Sequence, residues 1–242
     1  MNLLLLKNVQ KSFSGNSVLA IDELAIKQGK INGFLGRNGA GKSTTIKIIM
    51  GVLPKDQGKI YFNNQEIHFD DKMFKMKVGY CPDYAAVFDQ LTMMEHFEFI
   101  SHLYNVEKND AFFERINDHI KEFELEAYKN LKLKQLSKGN RQKVSIIASV
   151  LHKPDLLIYD EPTLGLDPFA LKQFKEFLKK YTNSGGTVFL SSHALDIITE
   201  IADNVSLIHQ GKVIDRNVLI SEVVAGNVDL EKFMLNAIES VG

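Results

Sequence analysis

The chain has 242 residues, 45% of them apolar and 24% charged, with 16 glycines, one cysteine and no tryptophan; that composition belongs to an ordinary globular protein and excludes disorder and collagen. Thirty acidic against 29 basic residues give a net charge of −1, which removes the basic field of a dedicated nucleic-acid binder, so no nucleic-acid partner is expected. Cys81 is alone and forms no internal disulfide, residues 1–7 lack the basic flank and cleavage site of a secretion signal, and no run approaches the roughly eighteen apolar residues that span a bilayer. The expectation is a cytosolic chain that borrows any membrane role from a partner.

Residues 3–9, 18–26 and 31–35 are short apolar or alternating runs divided by turn residues, and they read as strands. A glycine-rich loop and a helix over 43–50 follow. Residues 59–62 and 66–69 flank Asn63-Asn64-Gln65 as a hairpin whose asparagines tolerate positive φ, and 78–81 is another strand. From Thr92 to about Leu151 apolar residues recur three and four apart, as in Phe112, Ile116, Ile120 and Phe123, which predicts a helical insert. Strands at 156–159, 187–190 and 205–208 then alternate with helices near 169–180 and 194–201, and a last short helix is expected near 230–238. Strands alternating with helices predict an α/β fold around a parallel sheet. The whole chain reads as one domain, with a strand-rich core over 1–83 and 152–242 and a helical part over about 84–151.

Gly36-Arg37-Asn38-Gly39-Ala40-Gly41-Lys42-Ser43 fits G-x-x-x-x-G-K-S and lies directly between a predicted strand and a predicted helix. The glycines let successive backbone N–H groups turn inward on phosphate oxygens, and the helix N-terminus favours the anion. The Lys42 ammonium suits the β- and γ-phosphates, the Ser43 hydroxyl suits Mg²⁺, and Thr44 is a further nucleotide contact. The strand at 156–159 runs into Asp160 and Glu161, whose side chains point to opposite sides of a strand and so take different tasks. Asp160 is placed for the Mg²⁺ shell and Glu161 for accepting a proton from an attacking water. His193 follows the strand at 187–190, at a carboxyl end where ligands of parallel sheets bind, and can donate to a γ-phosphate. Leu136-Ser137-Lys138-Gly139-Asn140 precedes a helix over 141–151, with Ser137 as its cap. It is a second anion-binding helix start, and it serves another phosphate or the same phosphate from another subunit.

At these residues, and in this order, the sequence resembles the ATP-binding subunits of ABC transporters over nearly its whole length. The markers are a Walker A at Gly36 to Ser43, a signature at Leu136 to Asn140, a Walker B ending at Asp160 with Glu161 after it, a D-loop at Gly165-Leu166-Asp167 and a switch histidine at His193. The resemblance implies a P-loop NTPase core with a mixed, largely parallel sheet, an antiparallel β arm and an α-helical subdomain. It also implies ATP and Mg²⁺ as cofactors, with Lys42, Glu161 and His193 as catalytic residues, Ser43, Asp83 and Asp160 around the metal, and Phe13 stacked on adenine. Two copies pack head to tail, so that Ser137, Gly139 and Asn140 of one meet the ATP on the P-loop of the other. Lys138 and Asn140 depart from the L-S-G-G-Q pattern, and Asp83 stands where the family places a glutamine.

The resemblance further implies separately encoded transmembrane permease subunits, which hold the chain at the cytoplasmic face of the membrane and dock on the helical insert; Phe88, Leu91 and Phe97 are the candidate contacts. Only 49 residues follow His193, which suits exporter subunits better than importer subunits with an added regulatory domain. The alternatives are a soluble ATPase of a non-transport assembly, such as the iron–sulfur type, or a nucleotide sensor without turnover. His96 and His102, beside Glu95 and Glu98, fall on different faces of a helix and make no metal site. The basic run Lys129, Lys132, Lys134, Lys138, Arg141 and Lys143 reads as a solvated face.

Overall fold

A computed structural model describes residues 1–221; the helix expected near 230–238 lies outside them. Strands β1 (Asn2–Phe13) and β2 (Asn16–Lys27) run past the apolar cores read from sequence. Antiparallel pairing carries their polar ends along, down to Phe13 opposite Asn16. β3 (Ile31–Leu35) and α1 (Lys42–Ile49) follow, then the hairpin of β4 (Gln57–Phe62) and β5 (Gln65–Ile67). Its turn holds Asn63 and Asn64 at φ 48° and 63°, the left-handed geometry expected of that asparagine pair. β5 stops two residues short of the predicted end. Asp70 turns left-handed (φ 62°) and Asp71 caps an unforeseen short helix, α2 (Lys72–Lys75), by accepting from the Phe74 N–H at 3.0 Å.

β6 (Val78–Cys81) leads into the helical subdomain of α3 (Met93–Leu103), α4 (Asp110–Glu122) and α5 (Lys138–Ala148). Each start is capped by the residue type that favours it. Thr92 and Glu95 form a capping box, Asn109 caps α4, and the Ser137 hydroxyl accepts from Asn140 N–H at 3.2 Å. That cap starts α5 three residues before the predicted helix. The remaining elements are β7 (Leu156–Asp160), α6 (Pro168–Asn183), β8 (Thr187–Ser192), α7 (Leu195–Ile201), β9 (Asn204–His209) and β10 (Lys212–Leu219), the last of them not anticipated from sequence.

The strands form two sheets. One is antiparallel, in the order β2-β1-β4-β5; the other runs β10-β9-β3-β8-β7-β6, parallel except at the β10 edge. β7 shows how the larger sheet is buried on both faces. Leu157 and Tyr159 pack into a core shared with α3, α4 and α5, while Leu156 and Ile158 pack into a second core between the sheets with α1.

Two side-chain expectations need correction. Phe97 is fully buried between the helices and the sheet and offers nothing to a partner, whereas Phe88 is half exposed and packs edge-on against the exposed Phe99. Lys143 is likewise not on a solvated face: it is buried and donates its Nζ proton to the Phe123 carbonyl at 3.0 Å, because a helix with one face in the core carries Lys143 inward with Val144 and Ile147. The two histidines do diverge, His96 buried and His102 exposed.

Candidate functional site

Parallel register brings the chemistry together. Leu35 lies opposite Ser192 and Asp160 opposite Ser191, while Cys81 pairs with Tyr159, so the loops after β3, β6, β7 and β8 leave one edge of the sheet side by side. The loop after β3 is the glycine-rich one. A Cβ on Gly36 would fall 2.5 Å from the Ile208 carbonyl oxygen, and Gly41 has φ +111°, so neither position accepts a side chain. The loop encloses Lys42, whose Nζ donates to the Gly36 carbonyl at 2.7 Å.

Asp160 is the last residue of β7 and almost fully buried. The Ser191 hydroxyl donates to its Oδ1 at 2.6 Å, and Ser43 also hydrogen-bonds to it. Burial pushes the Asp160 carboxyl above its ordinary value against those two hydrogen bonds, and the nearby Asp83 and Glu161 push the same way. Glu161 leaves the strand in the left-handed region (φ 48°), a cost that such sites tolerate when the surroundings enforce it. Three contacts enforce it here. Its N–H donates to the Ser191 hydroxyl at 3.1 Å, its Oε1 lies 3.2 Å from Lys42 Nζ, and its Oε2 lies 2.9 Å from His193 Nδ1. Residues 42, 161 and 193 thus form one chain of contacts across the loops. The separation of Asp160 from Glu161, expected from strand alternation, is produced by this turn out of the strand.

A cleft of about 460 Å³ opens at the same edge, lined by Asn38, Gly39, Gly41, Lys42, Ser43, Thr44, Asp83, Glu161 and His193, with Val18 and Leu164. Gly36, Arg37 and Ala40 form the loop beneath it. Phe13 does not line the cleft; it stands 45% exposed at the end of β1, with Lys11 Nζ 5.5 Å from its ring centre. Ser137, Gly139 and Asn140 do not line it either. They start α5 on another part of the surface, where Gly139 is packed so closely under the Gly165 carbonyl that a Cβ would lie 2.9 Å from it.

Sequence reasoning missed two supporting residues. Ser191 bonds to both Asp160 and Glu161, and Gln142 of α5 donates to the Pro162 carbonyl at 3.1 Å, tying the signature helix to the loop after Glu161. Only the seating of Ser191 at the end of a strand next to Asp160 could have pointed to the first; nothing local marks the second.

A buried P-loop lysine, a strand-end carboxylate, an acid beyond it and a histidine from the next strand define a P-loop ATPase built to hold a nucleoside triphosphate. The chain belongs to the ABC transporter family, whose model matches residues 19–164, and is one of its ATP-binding, ATP-hydrolysing subunits. It is 33% identical over 210 residues to the uncharacterized ABC transporter ATP-binding protein YhaQ of Bacillus subtilis, covering 87% of this chain and 69% of that protein. To the SkfA peptide export ATP-binding protein SkfE of the same organism it is 34% identical, covering 88% of each. Among solved structures it is similar to an ATP-binding subunit of an ABC transporter (TM-score 0.88, 28% identity, 98% of this chain and 99% of that one). It is also similar to the ATP-binding cassette MJ0796 in a dimeric post-hydrolysis state bound to ADP and phosphate (TM-score 0.79, 25% identity, 90% and 98%). Among the described residues no helix is long and apolar enough to cross a membrane.

Proposed function

We propose that two copies of this chain close head to tail on two ATP molecules and drive export through separately encoded membrane subunits, with the chain held at the cytoplasmic face of the membrane. The observation that carries the hydrolytic part is the run of contacts from Lys42 through Glu161 to His193 at the mouth of the P-loop cleft. Lys42 Nζ and His193 Nδ1 lie 3.2 Å and 2.9 Å from the two oxygens of the Glu161 carboxylate. An arriving γ-phosphate competes for both groups and leaves the Glu161 carboxylate to accept the proton of a water, while His193 and Lys42 hold the transferring phosphoryl group.

The oxygens of Ser43, Asp160 and Asp83 suit Mg²⁺, a hard cation that takes one or two carboxylates along with phosphate and water. The desolvated Asp160 carboxylate, with two acids nearby, fits such a charge. When bound, the ion offsets negative charge on the phosphates. Asp83 supplies a charge where the family has a neutral amide, which strengthens the cation's hold at that loop.

Ser137, Gly139 and Asn140 present a capped helix start that does not line their own cleft, and a second copy gives them a phosphate to meet. Phe13, 45% exposed at the end of β1, offers its ring to an adenine. The helical part over 84–151 docks the permease, with the exposed Phe88 and the partly exposed Leu91 as contacts. Export is favoured over import by the likeness to SkfE and to the linearmycin resistance protein LnrL, 32% identical over 208 residues.

The test is Glu161→Gln. Turnover should fall about 10²- to 10⁴-fold while ATP binding persists and the two-fold dimer becomes stable enough to isolate. Hydrolysis at the parent rate would remove Glu161 as the base. For docking, Phe88→Glu should abolish co-purification of the membrane subunit without changing the stability of the isolated chain.

A further inference from the structure

At the amino ends of the parallel strands, across the sheet from the P-loop, a second cavity of about 630 Å³ opens between α4, α6 and the turn into β8. It is larger than the nucleotide cleft and within the range of small-molecule sites, about 300–1,000 Å³. None of its lining residues takes part in the ATP chemistry above.

One wall is aromatic. Phe177 and Tyr181 of α6 lie with their rings 24° from parallel and 6.5 Å between centres. Tyr181 is held in place: its hydroxyl donates to the Pro154 carbonyl at 2.6 Å, and its ring lies on Gly186 so closely that a Cβ there would fall 2.3 Å from it. The opposite wall is charged and not balanced. Glu122 engages His119 on one oxygen and Lys180 on the other, which leaves Arg115 with no carboxylate partner among the described residues. Arg115 Nη2 donates to the Leu151 carbonyl at 3.0 Å, and its Nε is enclosed without a partner. Lys153 adds a cation at the exposed rim and Asp155 an anion, so Arg115, Lys153 and Lys180 face the carboxylates of Glu122 and Asp155. A cavity with a fixed aromatic ring in its wall, one surplus positive charge among its Arg, Lys, Asp and Glu side chains and a guanidinium without a carboxylate partner selects a flat anion.

We propose that this cavity binds a small aromatic monoanion, a carboxylate or sulfonate on a flat ring system, with the ring against Tyr181, which the buried Phe177 backs, and the anion on Arg115. Because the site joins α4 of the helical subdomain to α6 and β8 of the core, occupancy clamps the two parts together and raises the thermal midpoint of the chain.

The experiment is calorimetric titration of the full chain with 2-naphthoate and with its uncharged counterpart 2-naphthol, each without nucleotide and with the P-loop saturated by ADP. The expected result is one saturable 2-naphthoate site whose affinity ADP does not change, with 2-naphthol at least about tenfold weaker, the worth of a charge-assisted hydrogen bond. Arg115→Ala should weaken 2-naphthoate about tenfold and leave 2-naphthol unchanged. Lys153→Glu, a change at an exposed position that does not burden folding, should weaken 2-naphthoate a few-fold. No saturable binding into the millimolar range, loss of binding with ADP, equal affinity for the two probes, or indifference to both substitutions would overturn the proposal.

Discussion

His96 sets the acid sensitivity of the helical subdomain. It is fully buried on α3, its ring 5.7 Å from that of Phe88, and neither ring nitrogen has a hydrogen-bond partner. Burial alone pulls its pKa from 6.5 down to about 4. The sign follows from the direction: a histidine whose folded pKa is depressed contributes stability that is whole above its unfolded value of 6.5 and is lost as pH falls toward 4. The full difference corresponds to roughly 3 kcal/mol, of which about half is lost between pH 7 and pH 5. His96→Met removes the titration and also the two unpartnered nitrogens, each of which carries a desolvation penalty. Urea unfolding of parent and variant at pH 7 and at pH 5 measures the effect. The variant should be the more stable at both, and its advantage should widen by roughly 2 kcal/mol at pH 5. An advantage that stays constant with pH would refute the reasoning, because it would mean that His96 takes up its proton in the folded chain as easily as in the unfolded one.

Three further outcomes follow from the same contacts. Ser191→Ala removes the hydroxyl that bonds Asp160 and meets the Glu161 amide; steady-state ATPase assays should show turnover down about tenfold or more, with ATP affinity changed much less. Ser137→Ala should cost about 1 kcal/mol of stability through the lost cap of α5 and weaken ATP-dependent dimerisation, seen by size-exclusion chromatography. Ser137→Asp keeps the cap but sets a charge against phosphate, so it should restore stability without restoring the dimer. Gly58 has φ +88°, and a Cβ there would fall 2.2 Å from the Asn8 carbonyl oxygen; Gly58→Ala should lower stability by about 2 kcal/mol or more, measured by chemical unfolding.

Much of this protein was legible in its sequence because the signals are local. Gly36 to Ser43 can be read as a phosphate loop since the strand before it, the glycines within it and the helix after it are contiguous. Asn63-Asn64 announced a left-handed hairpin turn, and Ser137 announced the start of α5, although the helix begins at once after the cap and not at Arg141. Periodicity located the helices but did not say what lies over each face. Phe97 and Phe88 look alike as aromatics in an apolar stretch, yet one is sealed into the core by α5 and the sheet while the other is left half exposed. Lys143 reads as one more surface cation until the turn of α5 carries it inward to the Phe123 carbonyl.

Local pattern determined the strands, the caps, the phosphate loop and the strand that ends in Asp160, because each depends on residues a few positions apart. Only the tertiary structure decided that Lys42, Glu161 and His193 meet and that Ser191 steadies both carboxylates. Those contacts join residues as far apart in sequence as 42 and 193, and they exist because parallel pairing at a single register sets the ends of β3, β7 and β8 side by side. A slip of one residue in any of those strands would turn its side chains to the opposite face and dismantle the site without altering a single local motif.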